Sequence, residues 1–118
     1  MIALLLEDPL FNITFFGGLI FVTSGFIQLK FPPKNINSLY GYRTIQSMKN
    51  QERWNFAQNF SAKELMKSGF LLTLSSALAF IIEFAESTNL VIGISLMITV
   101  VIFLFLRVEK AIENKFDE

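Results

Sequence analysis

Hydrophobic and polar residues are distributed along this chain in long blocks, not in the short alternation of strands. Residues 10–29 carry no charge, and a helix of that length at about 1.5 Å per residue covers the roughly 30 Å hydrocarbon core of a bilayer. A second uncharged block, 68–82, becomes a span of about 67–85 once Phe84 and Ala85 are counted and Glu83 reaches the outer interface. The third, about 89–106, is uninterrupted. The pattern predicts an all-α membrane protein with three transmembrane helices and one long polar segment, 30–66, between the first two. Within that segment, 51–67 has few helix breakers and places Trp54, Ala57, Ser61 and Leu65 on one face, with Phe56 and Phe60 widening it. This stretch is read as an amphipathic helix that lies in the membrane interface or runs straight into the second span.

Punctuation residues mark the boundaries. Asp8 and Pro9 suit a helix N-cap and first turn, Pro32 and Pro33 stop the first helix, and Asn50 suits the N-cap of the next. Residues 86–89 are expected to form a tight turn in which Ser87 or Thr88 caps the third helix. Thr14, Gly18 and Gly25 fall near one side of the first helix, and Gly69, Thr73 and Ala77 recur every four residues in the second, the spacing of close helix contact. With so many small residues and no internal repeat, association into a homo-oligomer is expected. The tail, 107–118, reads as a mixed-charge helix whose Glu109, Lys110, Glu113 and Lys115 form a solvated face.

Composition narrows the class. Charged residues make up 17% of the chain against roughly 25% in soluble domains, with 53% hydrophobic residues, 14 Phe and a mean hydropathy of +0.51. The absence of Cys and His removes thiolate chemistry and the commonest general base and metal ligand, so no cofactor or metal is expected. A net charge of zero gives no case for nucleic acid; the lipid bilayer is the expected partner. Residues 1–8 lack a positive n-region and carry Glu7 and Asp8, so no cleavable leader is expected. All 10 Lys and Arg residues lie between the first two spans or in the tail, which places the N-terminus outside and the polar segment and C-terminus in the cytoplasm.

Arg43, between Tyr42 and Thr44 and behind Gly41, is placed to pair with a phosphate or carboxylate, with snorkelling as the plainer reading. Lys30, Lys34, Lys63 and Lys67 read as positive-inside anchors on anionic lipid. Trp54 reads as a packing anchor. Glu52 and Glu64 are about 120° apart around a helix and form no acid/base pair on it. No phosphate loop or metal cluster appears, and no enzyme is expected. Thr73, Ser76 and Glu83 are the residues that would line a polar path if oligomers formed a channel or transporter; binding of an anionic lipid by the basic segment is a further alternative.

The run Gly41-Tyr42-Arg43-Thr44, followed by Ser47, Lys49-Asn50 and Trp54, resembles the pattern of the SdpI/YfhL family of bacterial membrane proteins, in which a G-[YVI]-R-T segment precedes a Ser or Thr and then a Trp in the following helix. The motif covers about 37–59 and the three-span layout covers the chain. The resemblance implies a non-enzymatic protein of the bacterial inner membrane. Its best-known member confers immunity to a secreted killing peptide and signals by holding a repressor at the membrane, so a toxin peptide and a cytoplasmic regulator are the partners implied. It further implies that Gly41, Tyr42, Arg43, Thr44, Ser47, Lys49, Asn50 and Trp54 form the binding or organising segment. This chain is expected to hold the three-span unit without the further spans that precede it in that member.

Overall fold

The structure, a computed structural model, describes residues 5–117; the leader reading therefore falls partly, in 1–4, outside the described residues, as does the last residue of the tail. Among the described residues, three long α-helices form an up-down-up bundle: α1 (Pro9–Lys30), α2 (Gln51–Ser75) and α3 (Glu86–Phe116), with a 3₁₀ turn, Ser76–Phe80, after α2. No strand occurs among the described residues. The bundle measures 51 × 27 × 20 Å.

α1 starts as its sequence dictates. Asp8 accepts a hydrogen bond from the Leu10 N–H at 3.0 Å and Pro9 occupies the first turn. Its buried side is the predicted small-residue side, Thr14, Gly18 and Gly25, extended by Gly17 and Gln28. Here α1 meets α2 backbone to backbone: a Cβ on Gly18 would lie 2.6 Å from the Gly69 carbonyl oxygen, and one on Gly69 would lie 2.6 Å from that of Gly18. Without an aqueous hydrophobic effect between spans, such close packing is the main attraction between helices in lipid. α3 approaches the same helix through Gly93, which faces Leu10 and Ile13.

Among the described residues, α1 and α3 alone are long and apolar enough to cross a membrane, with mean hydropathies of 1.8 and 2.7. Of the two arrangements expected for 51–67, the structure has the continuous one: a single helix, α2, passes Lys67 without a break. Nothing between Lys67 and Ser75 removes a backbone donor, and Gly69 stays helical because packing against α1 fixes it. The helix also ends earlier than the 67–85 span predicts. The Ser75 and Ser76 hydroxyls donate to the Leu72 and Thr73 carbonyls, each at 2.6 Å, a local competition with the helix ladder, and the ladder tightens to 3₁₀. Ala77 consequently leaves the small-residue stripe and is exposed, while Ser76 and Ala79 are buried.

The turn falls at 81–85 instead of 86–89. Glu86 already lies in α3, whose N-cap is Ala85 with no side-chain bond, so neither Ser87 nor Thr88 caps it. The tail likewise continues α3, whose 31 residues extend about 46 Å, well past a bilayer core. It is not merely solvated. Val108 and Ile112 are fully buried against Ala57, with Leu104, Phe56, Phe60 and Phe116 packed around them. The four-residue spacing of Leu104, Val108, Ile112 and Phe116 keeps one apolar stripe facing α2 while Lys110 and Glu113 face out.

Candidate functional site

Residues 31–50 are an ordered cap folded against the first half of α2 and the end of α3, held by side chains that satisfy a backbone lacking regular secondary structure. Trp54, fully buried, donates its indole N–H to the Pro33 carbonyl at 2.6 Å. One turn on, Gln58 grips Tyr42 at two points: its Oε1 accepts from the Tyr42 N–H at 2.7 Å and its Nε2 donates to the Tyr42 carbonyl at 2.8 Å. The side-chain amide thus plays the part of a neighbouring strand. From α1, Gln28 donates to the Gln58 carbonyl at 3.0 Å and to the Ser61 hydroxyl at 2.8 Å, joining the cap to both helices.

Gly41 permits this grip. Its φ of +107° lies where side chains are strained, and an added Cβ would strike the Gln58 Oε1 and come within 2.7 Å of Pro33 Cγ. Thr44 and Ser47 bracket a single turn reciprocally: the Thr44 N–H donates to the Ser47 hydroxyl at 2.8 Å and the Ser47 N–H to the Thr44 hydroxyl at 3.1 Å. Ser47 is fully buried, and its hydroxyl donates to the Tyr42 carbonyl at 3.1 Å. Asn50 caps α2 as expected, accepting from the Arg53 N–H at 2.9 Å. Asn37 accepts from the Leu39 and Tyr40 N–H groups, closing an Asx turn.

The Tyr42 ring leans on Phe105 of α3 with centroids 6.1 Å apart. Burial first, and then the neighbouring Glu109 carboxylate, push its phenol above the usual value, so the hydroxyl stays neutral at physiological pH. Arg53 pairs with Asp117 and lies over the Phe116 ring at 5.2 Å, fastening the end of α3 to the first turn of α2. The guanidinium bond holds the Asp117 carboxyl below the ordinary carboxylate range. Glu64, 5% exposed, takes Arg107 at 2.9 Å and Lys67 at 3.7 Å.

The structure therefore brings Gly41, Tyr42, Thr44, Ser47, Asn50 and Trp54 together as framework. Arg43 and Lys49 are exposed instead, and Arg43 has no protein partner among the described residues. Leu39 and Ile45, 91% and 87% exposed, share this outer surface. A polar cleft of about 520 Å³, lined by Lys34, Gln51, Asn55 and Asn59, opens beneath the cap. The Thr73 and Ser76 hydroxyls both donate to carbonyls of their own helix. Among the described residues no acidic group is placed to hold a metal ion.

Sequence reasoning missed Gln28, Gln58, Arg53 and Asp117. Gln28 carried a signal, since it continues the side set by Thr14, Gly18 and Gly25 and a buried glutamine requires partners. Gln58 sits one turn beyond Trp54 on the same face. Asp117 carried none that distinguishes it from other tail charges.

A protein-family model described as "SdpI/YfhL protein family" matches residues 34–106, a range that contains the whole motif, all of α2 and most of α3, and begins after α1. The YfhL protein of Bacillus subtilis (strain 168), itself described as uncharacterized, is 33% identical over 97 residues, covering 82% of this chain and 83% of that protein. No solved structure matches. On the family match and this relative together, the chain belongs to the SdpI/YfhL family, a family of membrane proteins.

Proposed function

We propose that this protein is a three-pass protein of the cytoplasmic membrane, N-terminus outside and C-terminus inside, which protects the cell against a membrane-active peptide and passes that state to a cytoplasmic partner through the cap. It acts by binding and not by catalysis. α2 with its 3₁₀ extension serves as the second crossing. The observation that carries the reading is the contrast at Arg43: a free guanidinium on a loop whose flanking residues, Tyr42 and Thr44, are both held by hydrogen bonds. Fixing a cation in place lowers the entropic cost of binding a carboxylate or phosphate on a partner.

Arg43→Ala tests it. The variant inserts and folds as the wild type does, because Arg43 supports no contact of the cap, yet cells that carry it lose protection against a secreted membrane-active peptide. Arg43→Lys restores little, since bidentate pairing is lost. Full protection by Arg43→Ala removes the cap as the functional surface. The chain has no Cys, so single cysteines placed at Ser38 and Ser87 report orientation by reaction with an impermeant maleimide: Ser87 labels in intact cells and Ser38 only after lysis.

A further inference from the structure

The end of the bundle remote from the cap has a different character. Glu7, Asp8, Glu83 and Glu86 gather there around a cleft of about 360 Å³ between the start of α1, the 81–85 turn and the start of α3. None of the four enters a salt bridge among the described residues, and all Lys and Arg residues lie elsewhere in the chain. Asn89 also lines the cleft. It is 5% exposed, its Nδ2 donates to Asp8 Oδ1 at 3.2 Å, and its Oδ1 is buried with no hydrogen-bond partner. Leaving a buried amide oxygen without a donor is unfavourable, and a donor entering the cleft would satisfy it.

The charge of the lining favours a cationic donor. The acidic residues do not converge as metal ligands, which disfavours a single compact ion and favours positive charges spaced along a chain. Leu5, Phe80 and Phe84 supply apolar wall beside the carboxylates, matching the methylenes that separate such charges. We propose that this cleft binds an alkylammonium ligand, with one –NH₃⁺ donating to Asn89 Oδ1 and Asp8, further ammonium groups paired with Glu83 and Glu86, and the aliphatic chain lying on Phe80 and Phe84. A free polyamine and the lysine side chains of an amphipathic peptide share this chemistry. That the cleft faces the cell exterior rests on the orientation proposed above; the binding does not.

The test uses the full chain in phosphatidylcholine nanodiscs, titrated calorimetrically with spermidine and, separately, with a synthetic peptide of alternating Lys and Leu, empty nanodiscs serving as the blank. Saturable binding is expected. Asn89→Ala weakens it about tenfold, the loss of a charge-assisted hydrogen bond, and Glu83→Gln and Glu86→Gln weaken it about threefold each, as semi-exposed ion pairs do. Because Glu83 and Glu86 are exposed, their variants remain informative even where Asn89→Ala fails to fold. Spermidine binding with this dependence identifies the free polyamine as the source; binding of the peptide alone identifies a peptide. No saturable binding of either, or binding that survives the Glu83→Gln/Glu86→Gln double variant unchanged, overturns the site. Retained binding alongside lost Arg43-dependent protection, or the reverse, separates this inference from the function proposed for the cap.

Discussion

At the capped end of the bundle, side chains close the gaps in an irregular backbone: Trp54 on Pro33, Gln58 on Tyr42, Ser47 with Thr44, and Asn50 on Arg53. At the opposite end, residues 81–85 lead into α3 with little such support, and a side-chain hydrogen bond from Asn89 to Asp8 ties the start of α3 to the N-cap of α1. Both ends are polar and both lie beyond the apolar stretch of the helices, so polarity alone does not decide order. The difference lies in where the polar groups are spent. The capped end uses its amides and hydroxyls on its own backbone and leaves a cation facing out, whereas the acidic end leaves carboxylates and an amide oxygen unsatisfied. One end is built for shape and the other for charge.

The contrast breaks most completely at Trp54. Trp54→Ala empties a fully buried site and strands the Pro33 carbonyl, a loss of about 3–5 kcal/mol for a large aromatic, with a correspondingly large fall in melting temperature by circular dichroism in detergent. A cap that survives this change is not anchored as described. Gly41→Ala comes next. Forcing a side chain into the left-handed region costs about 1–3 kcal/mol, and the new Cβ pushes directly on Gln58 Oε1. Trp54 is the sole tryptophan, so release of the cap appears as a red shift of its emission, a signal absent if Gly41 served only as a flexible joint.

These two residues also show what was legible in the sequence. Gly41, Asn50 and Trp54 carry their meaning locally: a glycine before a turn, an asparagine before a helix, an indole on an amphipathic face. Gln28 and Gln58 do not, because a glutamine acquires its role from a partner 16 or 30 residues away. The end of the second helix was hidden for a related reason. Hydropathy registers where charge ends, at Lys67, but the helix ends where hydrogen bonding changes, at Ser75. In the tail, the alternating charges of Glu109, Lys110 and Glu113 masked a stripe that depends on the presence of α2.

Asp117 gives a smaller effect with a definite pH signature. Its carboxyl is held below the ordinary carboxylate range by the hydrogen bond from Arg53, so the pair contributes fully above that range and is lost as pH falls through the lower folded pKa. Asp117→Asn therefore melts modestly below the wild type at neutral pH, and the gap closes in strong acid. A gap independent of pH would assign the contact to packing of Phe116 instead.

The smallest effect on stability belongs to the acidic end, and its sign is informative. Glu86 lies in the first turn of α3, where a negative charge is favoured by the helix dipole, but it shares its surroundings with Glu7, Asp8 and Glu83 and pairs with no cation among the described residues. Repulsion among these groups offsets the dipole, so Glu86→Gln shifts stability by no more than about 0.5 kcal/mol and in the stabilising direction. The measurement is a melting curve at low and high salt. Screening weakens repulsion between exposed charges, so added salt stabilises the wild type more than the variant. A variant less stable than the wild type at low salt would mean that the carboxylates serve the fold, erasing the distinction between an end organised for structure and an end held ready for a cation.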